Sequence, residues 1–218
     1  MNIYEAARAN MVESQIRPNK VTDERVVAAF AQLRRELFVP EPLRSVAYID
    51  EDLPLSGGRY LMQPMVVARL LQVAAVERKD TVLVVGAATG YDAAVLSLLA
   101  RNVVALEENA DLARFGRAAL VEHGIASVTY VEAPLRAGHR QRAPYDVIMF
   151  GGAVAEIPAE IESQLGEGGR MLAVERPIAG VGRASVIVRT GGVLAHRVIF
   201  DAATPLLPGF VPKPAFAF

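Results

Sequence analysis

The chain has 218 residues, 52% of them hydrophobic and 22% charged, with a formal net charge of −1. This composition fits one large α/β domain, or a domain with an appendage, with a substantial core and an ordinary soluble surface. A near-neutral charge offers no electrostatic footprint for nucleic acid or an anionic membrane, and zero cysteines exclude disulfides, thiolate metal sites and cysteine catalysis. The polar N-terminus is unlike a signal peptide and no apolar run reaches the length of a membrane span, so a cytoplasmic protein is expected.

In chain order, a first helix is expected over 4–15, ended by Ile16-Arg17-Pro18-Asn19. Thr22 is a good N-cap with Asp23 and Glu24 behind it, and Val26, Val27, Phe30 and Leu33 mark one face of a second helix that Phe38-Val39-Pro40 closes. Residues 41–64 carry Pro42, Pro54, Gly57, Gly58 and Pro64 and read as an extended, turn-rich segment of the kind that often serves function. Within it, Asp50 with Tyr48 is expected to fix the loop. An apolar helix over 65–76 leads to the stretch on which the rest is organised, Thr81-Val-Leu-Val-Val-Gly-Ala-Ala-Thr-Gly-Tyr91.

Val82 to Val85 read as a buried strand, Gly86 to Gly90 as a tight small-residue turn, and the residues from Tyr91 as a helix. A strand, a turn and a helix N-terminus let backbone N–H groups approach a ligand, which marks a mononucleotide-binding corner. A second strand over 103–106 ends in Glu107-Glu108. Glu107 lies 21 residues beyond Gly86, where an acid can accept bonds from both ribose hydroxyls. A nucleoside-containing cofactor follows from this spacing.

Asn109 then caps a helix over 110–122, and strands follow over 128–131 and 146–150, with Gly151-Gly152 at the second one's carboxyl end. A short helix over 157–165 and a strand over 170–174 come next. Two more strands, over 184–189 and 193–200, flank Thr190-Gly191-Gly192, a hairpin signal. A dinucleotide dehydrogenase would continue strand, helix, strand; a class I methyltransferase sheet has five parallel strands and ends in an antiparallel pair. The order here is the second, which disfavours a nicotinamide enzyme.

With that order laid out, the chain resembles the protein-L-isoaspartate O-methyltransferase family over nearly its full length. The matching pieces are Arg35-Glu36-Leu37-Phe38-Val39-Pro40-Glu41, Ala47-Tyr48-Ile49-Asp50 running into Leu53-Pro54-Leu55, and residues 58–64. The Gly86 corner, Ala143-Pro144-Tyr145-Asp146, Glu156-Ile157-Pro158, Gln164-Leu165 and Gly168-Gly169-Arg170 follow in the same order. The resemblance implies a Rossmann-like class I three-layer fold: a seven-stranded sheet over 79–218, with a helical and loop cap over 1–78 packed on it as one unit. It implies S-adenosylmethionine as methyl donor, S-adenosylhomocysteine as product, and isoaspartyl-containing proteins or peptides as substrate. Such an acceptor carboxylate is already ionised at neutral pH, so positioning and exclusion of water suffice, and no side chain is singled out as a catalytic acid or base.

The resemblance assigns the cofactor edge to Gly86, Ala87, Ala88, Gly90, Tyr91, Glu107, Glu108 and Pro134, and the substrate side to Tyr60, Met62 and Gln63. Four positions depart from the family pattern. Met62 stands for a serine on the substrate side and Val84 for an acid before the first glycine. Ala88 stands for the middle glycine, and Ala133-Pro134-Leu135 for a Gly-Asp-Gly whose acid meets the adenine. These losses keep a second reading open, a non-catalytic relative that binds a partner, or a methyltransferase with another acceptor. His123, His139 and His196 lack metal-ligand spacing, and Arg136, His139, Arg140 and Arg142 read as a solvated basic loop. The apolar, Pro-rich tail over 210–218 is expected to pack on its own domain or on a second copy in a homo-oligomer.

Overall fold

The computed structural model describes residues 2–177 and 180–211. Helix α1 (Ile3–Met11) starts one residue before its expected position, because Asn2 and Glu5 form a reciprocal capping box, and a wider helical turn over Val12–Ile16 continues it. Asp23, not Thr22, caps α2 (Glu24–Gln32): its carboxylate accepts the Arg25 N–H, while the Thr22 N–H goes to the Gln72 side chain. Helix α2 stops at Gln32 and does not run on to Phe38. Leu33 is extended (φ −82°, ψ 132°), and Arg35–Phe38 form a separate short turn of helix. Residues 41–64 contain a further short turn over Glu41–Val46 and the strands β1 (Leu53–Pro54) and β2 (Tyr60–Leu61), paired antiparallel. Helix α3 (Pro64–Ala74) begins at a proline, which fits the first helical turn, and ends at a left-handed Ala75.

The apolar runs then form β3 (Thr81–Val85), β4 (Asn102–Glu107), β5 (Val128–Glu132), β6 (Tyr145–Val154), β7 (Leu165–Glu175), β8 (Gly182–Thr190) and β9 (Val193–Ala202). Between them lie α4 (Tyr91–Ser97), α5 (Ala110–Glu122) and the single-turn α6 (Ala159–Glu162). All seven strands make one sheet in the order β5-β4-β3-β6-β7-β8-β9. The β3–β4, β3–β6, β4–β5 and β6–β7 pairs are parallel, and β8 is antiparallel to both neighbours. The five-plus-two sheet expected from the hairpin is therefore observed. Strand β3 is central, with β4 on one side and β6 on the other, so the end of β3 is the topological switch point of the sheet.

Alternate strand residues bury against two different layers. Val82, Val84, Val103, Ala105, Val147 and Met149 share one cluster with the N-terminal helices, α3, α4 and α5. Leu83, Val85, Val104, Leu106, Ile148 and Phe150 face a thinner layer made of Leu135, Ile161, Leu165, Leu207 and Phe210. The last two come from a strap beyond β9 that crosses the carboxyl edge of the sheet. Ala153 N–H donates to the Pro205 carbonyl (2.9 Å), and Leu207 N–H donates to the Ala153 carbonyl (2.8 Å). Phe210 packs edge-on to Phe150 with centroids 5.7 Å apart. Of the tail expected to pack on the domain, Phe210 is buried and Val211 exposed, and residues 212–218 lie outside the described residues. Among the described residues no helix is long and apolar enough to cross a membrane.

Candidate cofactor and acceptor site

The turn after β3 is built as its small residues require. Gly86 (φ +79°) and Gly90 (φ +91°) take left-handed backbone, and Ala88 is held there too (φ +47°), at a conformation that costs an alanine about 1–2 kcal/mol. Several bonds hold it in place. Gly86 and Ala87 donate to the Leu106 carbonyl (2.9 and 3.0 Å), Gly90 donates to that of Ala87 (2.8 Å), and the Tyr130 hydroxyl donates to that of Ala88 (3.0 Å). Tyr130 also explains why position 90 is glycine, since a Cβ there would lie against its hydroxyl. Burial pushes the Tyr130 hydroxyl pKa well up, so it stays protonated and can donate.

Glu107, at the carboxyl end of β4, reaches this turn and is fully buried. One carboxylate oxygen accepts the Ala88 N–H (2.7 Å); the other accepts the Asn109 N–H (3.0 Å) and Arg59 Nη1 (2.9 Å). Arg59 is 2% exposed, and its Nε and Nη2 have no hydrogen-bond partner among the described residues. A buried ion pair left with unpaired N–H groups is costly, so the pairing to Glu107 is the compensation that holds Arg59 inside. Arg59 Nη2 lies 2.6 Å, and Leu207 Cδ2 3.1 Å, from where a Cβ on Gly86 would stand. All residues from Gly86 to Gly90 are buried.

Sequence reasoning did not single out Arg59 or Leu207. Glu108 is exposed beside the rim, where its carboxylate accepts the Leu135 N–H at 3.4 Å, and the exposed Pro134 precedes the short turn over Leu135–Ala137. Tyr91 points away from the corner into the core. Its ring meets Phe30 and Phe38 edge-on (6.0 and 5.5 Å), with the Arg35 guanidinium 4.6 Å above it.

The segment expected on the substrate side is pinned by Arg35, which is fully buried. Its Nε donates to the Ala47 carbonyl (2.7 Å) and its Nη2 to the Met62 carbonyl (2.9 Å). The Met62 side chain is buried in the core cluster; half-buried Tyr60 pairs across to Pro54, and the Gln63 N–H donates to Asp52 (2.8 Å). Tyr48 does fix the loop, but its partner is Glu36 and not Asp50, which is exposed. The Tyr48 hydroxyl also accepts the Arg35 backbone N–H (3.2 Å), and burial with the Glu36 bond pushes its pKa up to about 12. Asp92, in the first turn of α4, is buried with one carboxylate oxygen unpartnered. Burial raises its pKa to about 6, Arg35 pulls it back, and Asp52 adds to the rise. His123 stacks on Phe38 with centroids 5.3 Å apart, a packing role.

A family model, protein-L-isoaspartate(D-aspartate) O-methyltransferase (PCMT), matches residues 6–191. The protein-L-isoaspartate O-methyltransferase of Methanoculleus marisnigri is 38% identical over 186 residues, covering 85% of this chain and 84% of that relative. The chain belongs to this family. The Koribacter versatilis member is 39% identical over 165 residues, 76% of this chain and 74% of the relative. A solved protein-L-isoaspartate O-methyltransferase superposes with a TM-score of 0.81 at 25% identity, over 94% of this chain and 67% of that one. A Plasmodium falciparum structure described as a member and solved with S-adenosyl-L-homocysteine shares the fold, with a TM-score of 0.78 at 17% identity over 95% of this chain and 99% of its own.

S-adenosylmethionine is the methyl donor of the PCMT family. Parts of the frame suit a nucleoside: a glycine turn at the switch point and a carboxylate at the end of the neighbouring strand. The side chains as they stand do not fit it. Both oxygens of Glu107 are engaged by the chain's own donors, and Arg59 with Leu207 fills the approach to Gly86.

Proposed function

We propose that the chain is a carboxyl methyltransferase of the isoaspartyl-repair type, acting in the cytoplasm on isoaspartyl residues of damaged proteins. The observation that carries this reading is the family match over residues 6–191, which includes the switch-point turn and Glu107. In this reading Gly86, Ala87, Ala88, Gly90 and Glu107 form the cofactor cradle with Glu108 and Pro134 at its rim, and Tyr60, Met62 and Gln63 border the acceptor. Tyr91 acts from behind, fixing the start of α4 through its aromatic and Arg35 contacts.

The chain's own residues bring order and dryness to the site. Arg35 ties the loop carrying Met62 and Gln63 to the short turn before it, and Met62 puts an apolar thioether where the family pattern has a hydroxyl. A thioether donates no hydrogen bond, so in this reading the Gln63 amide and the Tyr60 hydroxyl are the side-chain donors left to meet an acceptor carboxylate. The exposed Val193 and Val198 on β9 offer an edge to a second copy in a homo-oligomer.

The test is transfer of labelled methyl from S-adenosylmethionine to an isoaspartyl peptide and to its aspartyl twin. A base-labile methyl ester on the isoaspartyl peptide alone is expected. No ester on either peptide, from protein that binds S-adenosylhomocysteine, would show that the acceptor is a different one. The closed cradle favours a second reading, a non-catalytic relative, and failure of both the wild type and an opened variant to bind S-adenosylhomocysteine would select it.

A further inference from the structure

We infer that Arg59 is a built-in competitor for the methyl donor, a gate that must leave Glu107 before a ribose can take its place. The inference rests on the proposed methyltransferase reading and concerns access to the same cradle. Three observations carry it. The Arg59 guanidinium bonds the carboxylate whose position in the fold is that of a ribose acceptor. Two of its nitrogens lie buried without a partner among the described residues, so its place is held by that pairing and not by a full set of bonds. The glycines that allow a close approach are approached by the chain itself: Arg59 and Leu207 crowd Gly86, and Leu207 Cγ lies 2.7 Å from where a Cβ on Gly152 would stand.

The two parts of the closure differ in kind. Leu207 sits on the strap, which lies beyond the residues that match the family model and is tied at several points. In addition to the Ala153 bonds, Ala155 N–H donates to the Phe210 carbonyl (3.2 Å), Arg176 to that of Thr204 (3.2 Å) and Arg136 to that of Gly209 (3.2 Å). Leu207 is therefore a fixed wall. Arg59 extends from the short segment between the turn at Ser56–Gly58 and β2, and its one polar side-chain bond is to Glu107. It is the movable element, and the affinity for a nucleoside ligand is lowered by the fraction of molecules in which it stays in.

The experiment is calorimetric titration of the full chain with S-adenosylhomocysteine, comparing wild type with Arg59→Gln and Leu207→Ala. Arg59→Gln keeps a polar side chain but removes the charge, and should bind at least about tenfold more tightly than wild type, with a larger ligand-induced rise in Tm. Leu207→Ala, which leaves the ion pair in place, should tighten binding by a smaller factor. Equal or weaker binding by Arg59→Gln, or no binding by either protein, overturns the inference. Should Arg59→Gln fail to fold, hydrogen exchange of the wild type at saturating ligand decides. Faster exchange over residues 56–61 with protection over 86–90 supports the gate, and protection of both segments, or no change, overturns it. A protein that binds more tightly without Arg59 yet esterifies no isoaspartyl peptide would keep the gate and discard the acceptor.

Discussion

Replacing Asp92 by asparagine tests the electrostatics around the buried Arg35, with a sign that depends on pH. The Asp92 carboxyl is 6% exposed, and burial raises its pKa from 3.8 to about 6 against the pull of Arg35. A raised carboxyl pKa means that the folded state binds the proton more tightly than the unfolded chain does. The stability this confers is whole below about pH 4, is lost as pH rises from about 4 to 6, and is gone above that window. A rise of about two units corresponds to ~3 kcal/mol between the two limits. Asparagine has nearly the shape of the protonated acid and does not titrate. The Asp92→Asn variant should therefore be more stable than wild type by up to ~3 kcal/mol at pH 8, and nearly equal to it at pH 4. Urea denaturation of both proteins at the two pH values measures this, since titrating groups remote from Asp92 cancel in the difference and only its coupled neighbour Asp52 adds a smaller term of its own. A variant less stable at pH 8, or a difference that does not change between pH 4 and pH 8, would mean that Arg35 holds Asp92 as a compensated anion.

Two further substitutions test the frame. Gly116→Ala, in the middle of α5, would place a Cβ against the Tyr130 hydroxyl and 2.9 Å from the Thr89 carbonyl oxygen. The gain of about 1 kcal/mol in helix propensity should be outweighed by overpacking of about 1–3 kcal/mol or more. A thermal melt should show a lower Tm, and a higher one would mean that the helix and turn are not in close contact. Tyr48→Phe removes the bond to the buried Glu36 carboxylate and leaves the Arg35 N–H without its acceptor. A loss of about 2–4 kcal/mol is expected in urea denaturation, and a change under about 0.5 kcal/mol would show that the loop is held elsewhere.

Local chemistry made much of the frame legible. Val82 to Val85 followed by a glycine turn, the Asn109 cap with the helix over Ala110–Glu122 behind it, and the Gly191-Gly192 hairpin each act within a few residues. They led to the right sheet, and the resemblance of the motifs over 35–64 and 143–170 led to the right family. Helix ends were less legible where two good caps adjoin, as at Thr22 and Asp23, or where a buried charge overrides an apolar stripe. At Leu33 the chain leaves the helix, and two residues on Arg35 turns inward to bind Ala47 and Met62. The closure of the cradle was not legible at all. Arg59 meets Glu107 across 48 residues of sequence, and Leu207 reaches Gly86 and Gly152 from a strap that follows the last strand. An arginine beside two glycines in a loop reads as solvated until the fold brings a buried carboxylate to it. Asp50, two residues from Tyr48, was its expected partner, and only the short turn over Arg35–Phe38 places Glu36 under the Tyr48 hydroxyl instead.

In the proposed gate, Arg59 holds the carboxylate that a ribose would otherwise take. A crystal structure of the protein grown with S-adenosylhomocysteine, compared with one grown without it, tests this most directly. With ligand, Glu107 should be bonded to the ribose hydroxyls with Arg59 turned out of the cleft; without ligand, the Arg59–Glu107 pair should be intact. A bound ligand beside an unbroken Arg59–Glu107 pair would contradict it.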